Sequence, residues 1–333
     1  MKFRKIGNSG LSVSEISFGT WFPNNPDEND HQIQLCIGEA LKSGINHFDT
    51  ADVYREGKSE KALGTVLGDE NYLRKDFVIS SKVYWPRSRK PNDFGLSRKN
   101  ILDSIERSLK RLKTDYLDIY YCHRFDSQTS LKETINAMDY LIQQGKILYW
   151  GTSVWNSAQL ERVQYNAKIL GARPPIVEQA RYNMIDRYIE VEIMDTIKFH
   201  NIGLVIWSPL SGGLLTQDLI NNRIDLNRLL KKNRIPKSIV DISRIIKLSE
   251  FAESLGITLS QLAISWILKN KEINSVITGA TNPNHVINNV DASDVVLSNS
   301  SIKEIESILK NKPKKHSIYR NNVDSIMNRS NII

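Results

Sequence analysis

The feature that most restricts how this chain can fold is an alternation that recurs eight times. Short apolar runs, SEISFGTW, INHFDTAD, FVISSKVYW, YLDIYYCH, ILYWGTSV, PPIVEQARY, GLVIWSPL and NSVITGA, are separated by longer segments of helical period. Several of those segments open on Ser or Asp and close on Gly, the usual punctuation of a helix. Apolar strands joined through helices belong to a parallel sheet covered on its faces. Eight such units in 333 residues predict an α/β fold, a closed (β/α)8 TIM barrel. A doubly wound nucleotide-binding sheet is the competing arrangement, but no GxGxxG follows any strand. Before the first run, KFRKIG and LSVS flank the turn NSG, which predicts an N-terminal β-hairpin closing the barrel bottom. A long loop (211–242) follows the seventh strand, and TLSQLAISWILKN adds an extra helix towards the C-terminus. No composition break divides the pattern, so residues 1–312 are expected to form one domain, with 313–333 a polar tail in which SIYRNN is a docking candidate.

Charge and composition narrow the function classes. Lys and Arg number 45 against 37 Asp and Glu, a net charge of +8, but the basic residues are spread along the whole chain without an aromatic-basic nucleic-acid motif. No nucleic-acid partner is expected. The N-terminus lacks a secretory core, and no apolar run approaches the roughly 20 residues that span a bilayer. A cytoplasmic protein without direct membrane insertion is therefore expected, and Cys36 and Cys122 read as buried free thiols. No metal site is expected: the histidines do not form HExxH, and neither cysteine has a ligand partner at the usual spacing. GKS at 57–59 is not a phosphate loop, because Asp52 stands where that motif needs glycine. Asp52 reads as a loop-stabilising or solvent-facing residue without a catalytic role.

In barrels of this kind the chemistry sits at the C-terminal ends of the strands. The second strand ends in Asp49, Asp52 and Tyr54, the third carries Lys82, the fourth ends in His123, the fifth in Ser153, the sixth holds Glu178 and Gln179, and the seventh leads to Ser208. A Tyr, a Lys, an Asp and a His on three adjacent strand ends form a constellation with a chemical reading. A phenol is a poor acid at neutral pH, and a neighbouring ammonium favours its phenolate and lowers its pKa. A buried ammonium in turn needs a carboxylate. Tyr54 could then give a proton to a substrate oxygen, with Lys82 tuning it, Asp49 anchoring Lys82 and His123 orienting the substrate. Other readings of the same residues are a structural Asp49–Lys82 ion pair, a core histidine at 123, or Lys82 as the Schiff-base amine of an isomerase or aldolase.

FDTADVYREGKSEKALG, SSKVYW and YCHRFD resemble the aldo-keto reductases, whose tetrad of Asp, Tyr, Lys and His matches Asp49, Tyr54, Lys82 and His123. The likeness runs from LSVSEISFGTW to IESILKNKP, nearly the whole chain. GLSRKNI, YWGTSVW, EQARYNM, WSPLSGG and LSQLAISWILKN are most similar to the beta subunits of voltage-gated potassium channels. Those subunits carry Asn at the histidine of the tetrad and Arg where Val154 stands, and His123 favours a working reductase over a purely accessory subunit.

The resemblance implies a nicotinamide dinucleotide extended across the barrel mouth. Gly19, Thr20, Trp21 and Asp49 would lie near the nicotinamide, Ser153 and Gln179 would bind its carboxamide, and Trp207 would stack on the ring. Ser208, Pro209, Leu210 and Gly212 would run beside the pyrophosphate. Gly279, Thr281, His285, Asn288 and Asn289 would form the adenosine site, where a loop opening a helix presents N–H groups to phosphate. Relatives carry Arg or Gln at His285 and Glu at Asn288. The implied cofactor is NADPH, with NADH left open. Arg223, Arg228, Lys231, Lys232, Arg234 and Lys237 in the 211–242 loop either fold over the cofactor, as in the family, or simply face water. Trp21, Tyr54, Trp85 and His123 would line a pocket for a small aldehyde or ketone, although some of the four tryptophans at or just past strand ends, Trp21, Trp85, Trp155 and Trp207, could instead cap the barrel core. By the same resemblance the chain would assemble as a homo-oligomer, a tetramer, and the second function class is a cofactor-sensing regulatory subunit with a membrane-protein partner.

Overall fold

The structure is a computed structural model, and it describes residues 1–21, 30–221, 225–233 and 240–313. Two short antiparallel strands, β1 (Phe3–Lys5) and β2 (Ser12–Ser14), form the expected N-terminal hairpin. Eight parallel strands follow: β3 (Ile16–Gly19), β4 (His47–Asp49), β5 (Val78–Val83), β6 (Leu117–Cys122), β7 (Ile147–Ser153), β8 (Val177–Arg181), β9 (Gly203–Trp207) and β10 (Ser275–Thr278). They pair in chain order and close through β10 onto β3, a TIM barrel. Around it run α1 (Asp30–Lys42), α2 (Lys58–Leu67), α3 (Arg98–Leu112), α4 (Leu131–Gln143), α5 (Ser157–Leu170) and α6 (Ile193–His200). After β9 come α7 (Gln217–Ile220), α8 (Leu226–Asn233), α9 (Ile242–Ser254) and α10 (Leu259–Leu268), and after β10 come α11 (Pro283–Asp291) and α12 (Asn299–Leu309).

The helices begin where capping chemistry dictates. Ser97, Asn156, Thr258, Asn282 and Ser298 each accept a backbone N–H of the first turn, and Asn156 and Thr258 complete capping boxes with Gln159 and Gln261. Two expectations shift. The helical pattern from Arg187 yields only a single turn at Tyr188–Glu190 before α6 starts at Ile193. There Arg187 pairs with Glu190 and Glu306, tying the segment to α12 rather than to a longer helix. The segment after β9 is not simply a long loop, because α7 and α8 lie within it, and Leu229 of α8 packs against Gly213. The expected tail from Lys314 on, including SIYRNN, lies outside the described residues, as do Arg223, Arg234 and Lys237 and the side chains of Arg228 and Lys232.

What positions the site is strand alternation, since successive side chains point to opposite faces. Val78, Ile119, Tyr121, Val177, Val205 and Ile277 form an inner cluster with Ile6 and Val13 of the hairpin region. Their odd- and even-numbered neighbours, such as Ile79, Tyr120 and Ile206, pack outward against the helices. The hairpin thus plugs the barrel bottom, as the turn signals predict. Cys36 and Cys122 are buried free thiols. Among the described residues no single helix is long and apolar enough to cross a membrane, and α9 and α10, which reach that length together, meet at 88°.

Candidate active site

The inward phase set by Val78, Ile119 and Val177 carries polar residues as it reaches the mouth. On β4 the inward positions are His47 and Asp49, on β5 Ser80 and Lys82, and beyond β6 His123. Lys82 is fully buried, and its Nζ donates to Asp49 Oδ2 at 2.5 Å and to the Thr50 carbonyl at 2.8 Å. The other carboxylate oxygen, Asp49 Oδ1, accepts from Ser80 Oγ at 2.6 Å and from Gln179 Nε2 at 2.9 Å. Four hydrogen bonds, from donors on β5 and β8, therefore fix one ion pair, which is what burying two charges requires. An amine so engaged is poorly placed to attack a carbonyl, which argues against the Schiff-base alternative.

Beyond Asp49 the chain keeps pairing with β5, through Thr50 N to the Ser80 carbonyl at 2.9 Å and Asp52 N to the Lys82 carbonyl at 3.3 Å. It then turns tightly at Tyr54–Gly57, with Arg55 and Glu56 in the left-handed region. That turn returns Tyr54 over the mouth, where Lys82 Nζ lies 5.1 Å from its ring centre and the His123 ring 5.8 Å away, edge-on at 74°. The four tetrad residues are brought together. One electrostatic expectation reverses: the Tyr54 pKa is raised, because burial outweighs the downward pull of Lys82. The phenol stays protonated near neutral pH, as a proton donor must. Burial, with Lys82 and Arg124, holds the His123 imidazole well below its usual range, so it is neutral. Its Nδ1 is buried and has no hydrogen-bond partner among the described residues.

The expected pocket aromatics separate into two groups. Trp21 is 53% exposed and Trp85 38%, and Trp85 stands edge-on to His123 at 6.3 Å, so both are available at the mouth. Trp155 is fully buried against Phe125 and belongs to the core, the blander of its two readings. Asp52 is neither solvent-facing nor exposed: it is buried, and its pKa is pushed up to about 7 by burial and then by Glu60.

The residues expected to hold the cofactor form a partial arc. Ser153 and Gln179, the positions expected to bind the carboxamide, are register partners on β7 and β8, and Gln179 donates to Asp49. Thr20 is buried and donates its N–H to the Asp49 carbonyl at 2.9 Å. Gly19 has a packing reason of its own, since a Cβ there would meet Ile277 Cγ2 at 2.5 Å. Trp207 ends β9 half-buried, with the Arg181 guanidinium carbon 5.7 Å from its ring centre. After it Ser208, Ser211, Gly212 and Gly213 take positive φ and Pro209 and Leu210 lie between them, a curl of the kind that turns backbone N–H groups towards an anion. Past β10, Thr281, Asn282 and His285 cluster where α11 begins, with Asn282 Oδ1 accepting the His285 N–H at 3.1 Å, and a Cβ on Gly279 would meet open space. Asn288 instead accepts from Thr258 Oγ1 at 3.2 Å, and Asn289 is buried. The arrangement fits an extended dinucleotide lying from β4 round to β10.

Backbone strain marks the same rim. Among the described residues eight non-glycine positions have positive φ. Lys113, Asn201 and Lys310 are ordinary helix C-caps. Arg55, Glu56, Val154, Ser208 and Ser211 sit on loops leaving β4, β7 and β9 at the mouth, where stored strain accompanies function. Sequence reasoning missed Ser80, His47 and Arg124. The first two were signalled by spacing, each lying two residues before a tetrad member on the same strand face. His47 continues the polar lining downward: its ring bonds Ser80 at 3.1 Å and Ser17 at 2.7 Å, Ser17 bonds Ser275, and burial holds His47 down to about 4.

Comparison with known proteins agrees with this geometry. The model of the Aldo/keto reductase family matches residues 15–310. A "Probable voltage-gated potassium channel subunit beta" of Arabidopsis thaliana is 40% identical over 333 residues, covering 96% of this chain and all of the relative. A protein of the same description from Oryza sativa subsp. japonica is 38% identical over 329 residues, again covering 96% of this chain and all of the relative.

Proposed function

The chain belongs to the aldo/keto reductase family, and from that premise we propose that it is an NADPH-dependent oxidoreductase that reduces small aldehydes and ketones to alcohols in the cytoplasm. The observation that carries the reading is the convergence of Tyr54, Lys82, Asp49 and His123 at the C-terminal mouth of the barrel. Bound nicotinamide supplies the hydride to the carbonyl carbon. Tyr54 gives its hydroxyl proton to the carbonyl oxygen. Lys82, whose pull on the phenol is already present, steadies the phenolate left behind, and Asp49 keeps Lys82 in place. Neutral His123 hydrogen-bonds the carbonyl and fixes its approach. The donors of Thr281, Asn282 and His285 at the start of α11 support a phosphate-bearing adenosine and hence NADPH, with NADH as the comparison.

Initial rates of NADPH oxidation with aldehydes and ketones test this, with NADH and Tyr54→Phe in parallel. The variant is expected to bind cofactor and lose turnover by a factor on the order of 10²–10⁴. Retained turnover would remove Tyr54 from its role.

A second reading is favoured by what both plant relatives are called: a cofactor-sensing regulatory subunit, assembled as a homotetramer, that engages a membrane channel. Tight NADPH binding without turnover of any carbonyl, together with co-purification with a channel, would put this reading first.

A further inference from the structure

Arg124 follows the tetrad histidine and leans over the same pocket. One guanidinium nitrogen, Nη1, donates to the His123 carbonyl, and its Cζ lies 5.6 Å from the ring centre of Trp85. Among the described residues its side chain makes no other hydrogen bond and has no carboxylate partner. Half-buried guanidinium groups ordinarily find one, because leaving the charge unmatched in a partly dry site costs free energy. After burial itself, the groups that bear most on it electrostatically are Tyr54, Glu178, Tyr188 and Tyr84. All four hold their protons near neutral pH: burial raises each phenol, and it pushes the Glu178 carboxyl, fully buried behind Thr152 and Trp155, up to about 8. Among the described residues Arg124 is thus a cation without a carboxylate partner, with guanidinium donors to spare, beside Tyr54 and the rings of His123 and Trp85.

The barrel order separates this charge from the cofactor phosphates. Arg124 follows β6, which lies diametrically across the barrel from β10, the strand that leads to the adenosine residues. We propose that Arg124 is the anion-recognition residue of the substrate pocket, and that the carbonyl compounds this site takes best carry a carboxylate remote from the reacting carbonyl. The proposal rests on the reductase reading and names its substrate class. The chain's net charge of +8 would help draw such substrates in at low ionic strength.

The matched pair 4-formylbenzoate and methyl 4-formylbenzoate differs only in that charge. For the wild type, kcat/KM for the carboxylate is expected to exceed that for the ester by about tenfold at low salt, the scale of one charge-assisted hydrogen bond, and to lose much of that margin in 0.5 M salt. The ratio should collapse in Arg124→Gln and survive in part in Arg124→Lys. A ratio that is the same in the wild type and Arg124→Gln overturns the proposal while leaving the reductase intact. Tryptophan fluorescence, to which Trp85 contributes beside Arg124, follows binding of unreactive benzoate and methyl benzoate to the NADP⁺ complex. Selective benzoate binding that disappears in Arg124→Gln upholds the anion site even if neither aldehyde turns over. Equal benzoate binding by the wild type and Arg124→Gln overturns it, and failure of both aldehydes leaves this binding comparison to decide the proposal, while the wider set of carbonyls decides the reductase reading.

Discussion

Strand β5 carries a buried ionic site on each of its faces, and the two differ in what surrounds them. Inside the barrel, Lys82 is locked to Asp49 with Ser80 as a further donor. Outside, Ser81 donates to Glu60 at 2.6 Å, and Arg111 pairs with the same carboxylate at 2.5 Å between α2 and α3. Both sites remove charge from water at similar cost. Only the inner one opens upward to a phenol, an imidazole whose buried Nδ1 has no partner among the described residues, and two partly exposed tryptophans. A buried ion pair therefore does not identify chemistry. Access does, together with neighbours able to give or take a proton.

The sharpest test of that contrast is to break each pair in turn. Lys82→Met leaves Asp49 buried without its cation, and should cost about 3–5 kcal/mol of stability and lower kcat by a factor on the order of 10²–10⁴. Arg111→Met strands Glu60 in the same way and should cost a similar 3–5 kcal/mol in denaturant unfolding, yet leave kcat/KM of the folded protein within about threefold. Equal losses of turnover in the two variants would dissolve the distinction.

A smaller effect comes from Asp52, buried beside the outer pair. Its carboxyl titrates at about 7 when folded, against roughly 3.9 unfolded. The native state therefore holds the extra proton across that interval. Asp52 contributes stability that is full below about 4 and is lost as pH rises towards 7. Asp52→Asn should flatten this decline in urea midpoints measured from pH 4 to 7.5; an unchanged slope would show that the carboxyl is not buried in its neutral form. His47, held at about 4 inside the barrel, has the opposite sign: its contribution is present above its unfolded pKa of roughly 6.5 and is lost as pH falls through about 4. The two faces of the barrel wall thus pull the pH profile in opposite directions.

The smallest effect is at the rim. Val154, a β-branched residue at φ 58°, stores strain where β7 meets the mouth. Val154→Gly should raise stability by about 1 kcal/mol, read as an increase of a few degrees in Tm. No gain would mean that side-chain packing there outweighs the backbone.

Sequence alone determined the barrel, its eight strands, the hairpin beneath it and the four polar residues that meet at its mouth. These follow from local alternation and from the rule that polar residues at parallel-strand ends face the chemistry, and the family motifs named the same four positions. Alternation within each strand also held the information for Ser80 and His47, two residues ahead of Lys82 and Asp49. Other features depended on contacts that only the closed barrel makes. Gln179 meets Asp49 because β8 and β4 face one another across the lumen. Asn288 is taken up by Thr258, which lies 30 residues away. The sign of the Tyr54 shift was equally beyond reach of the sequence: a neighbouring lysine can be read from spacing, but the depth at which the phenol is buried depends on how the turn at 54–57 folds back over the mouth. Arg124 illustrates the same limit, for a charge is visible in any sequence, whereas the lack of a carboxylate partner among the described residues is decided by everything that packs around it.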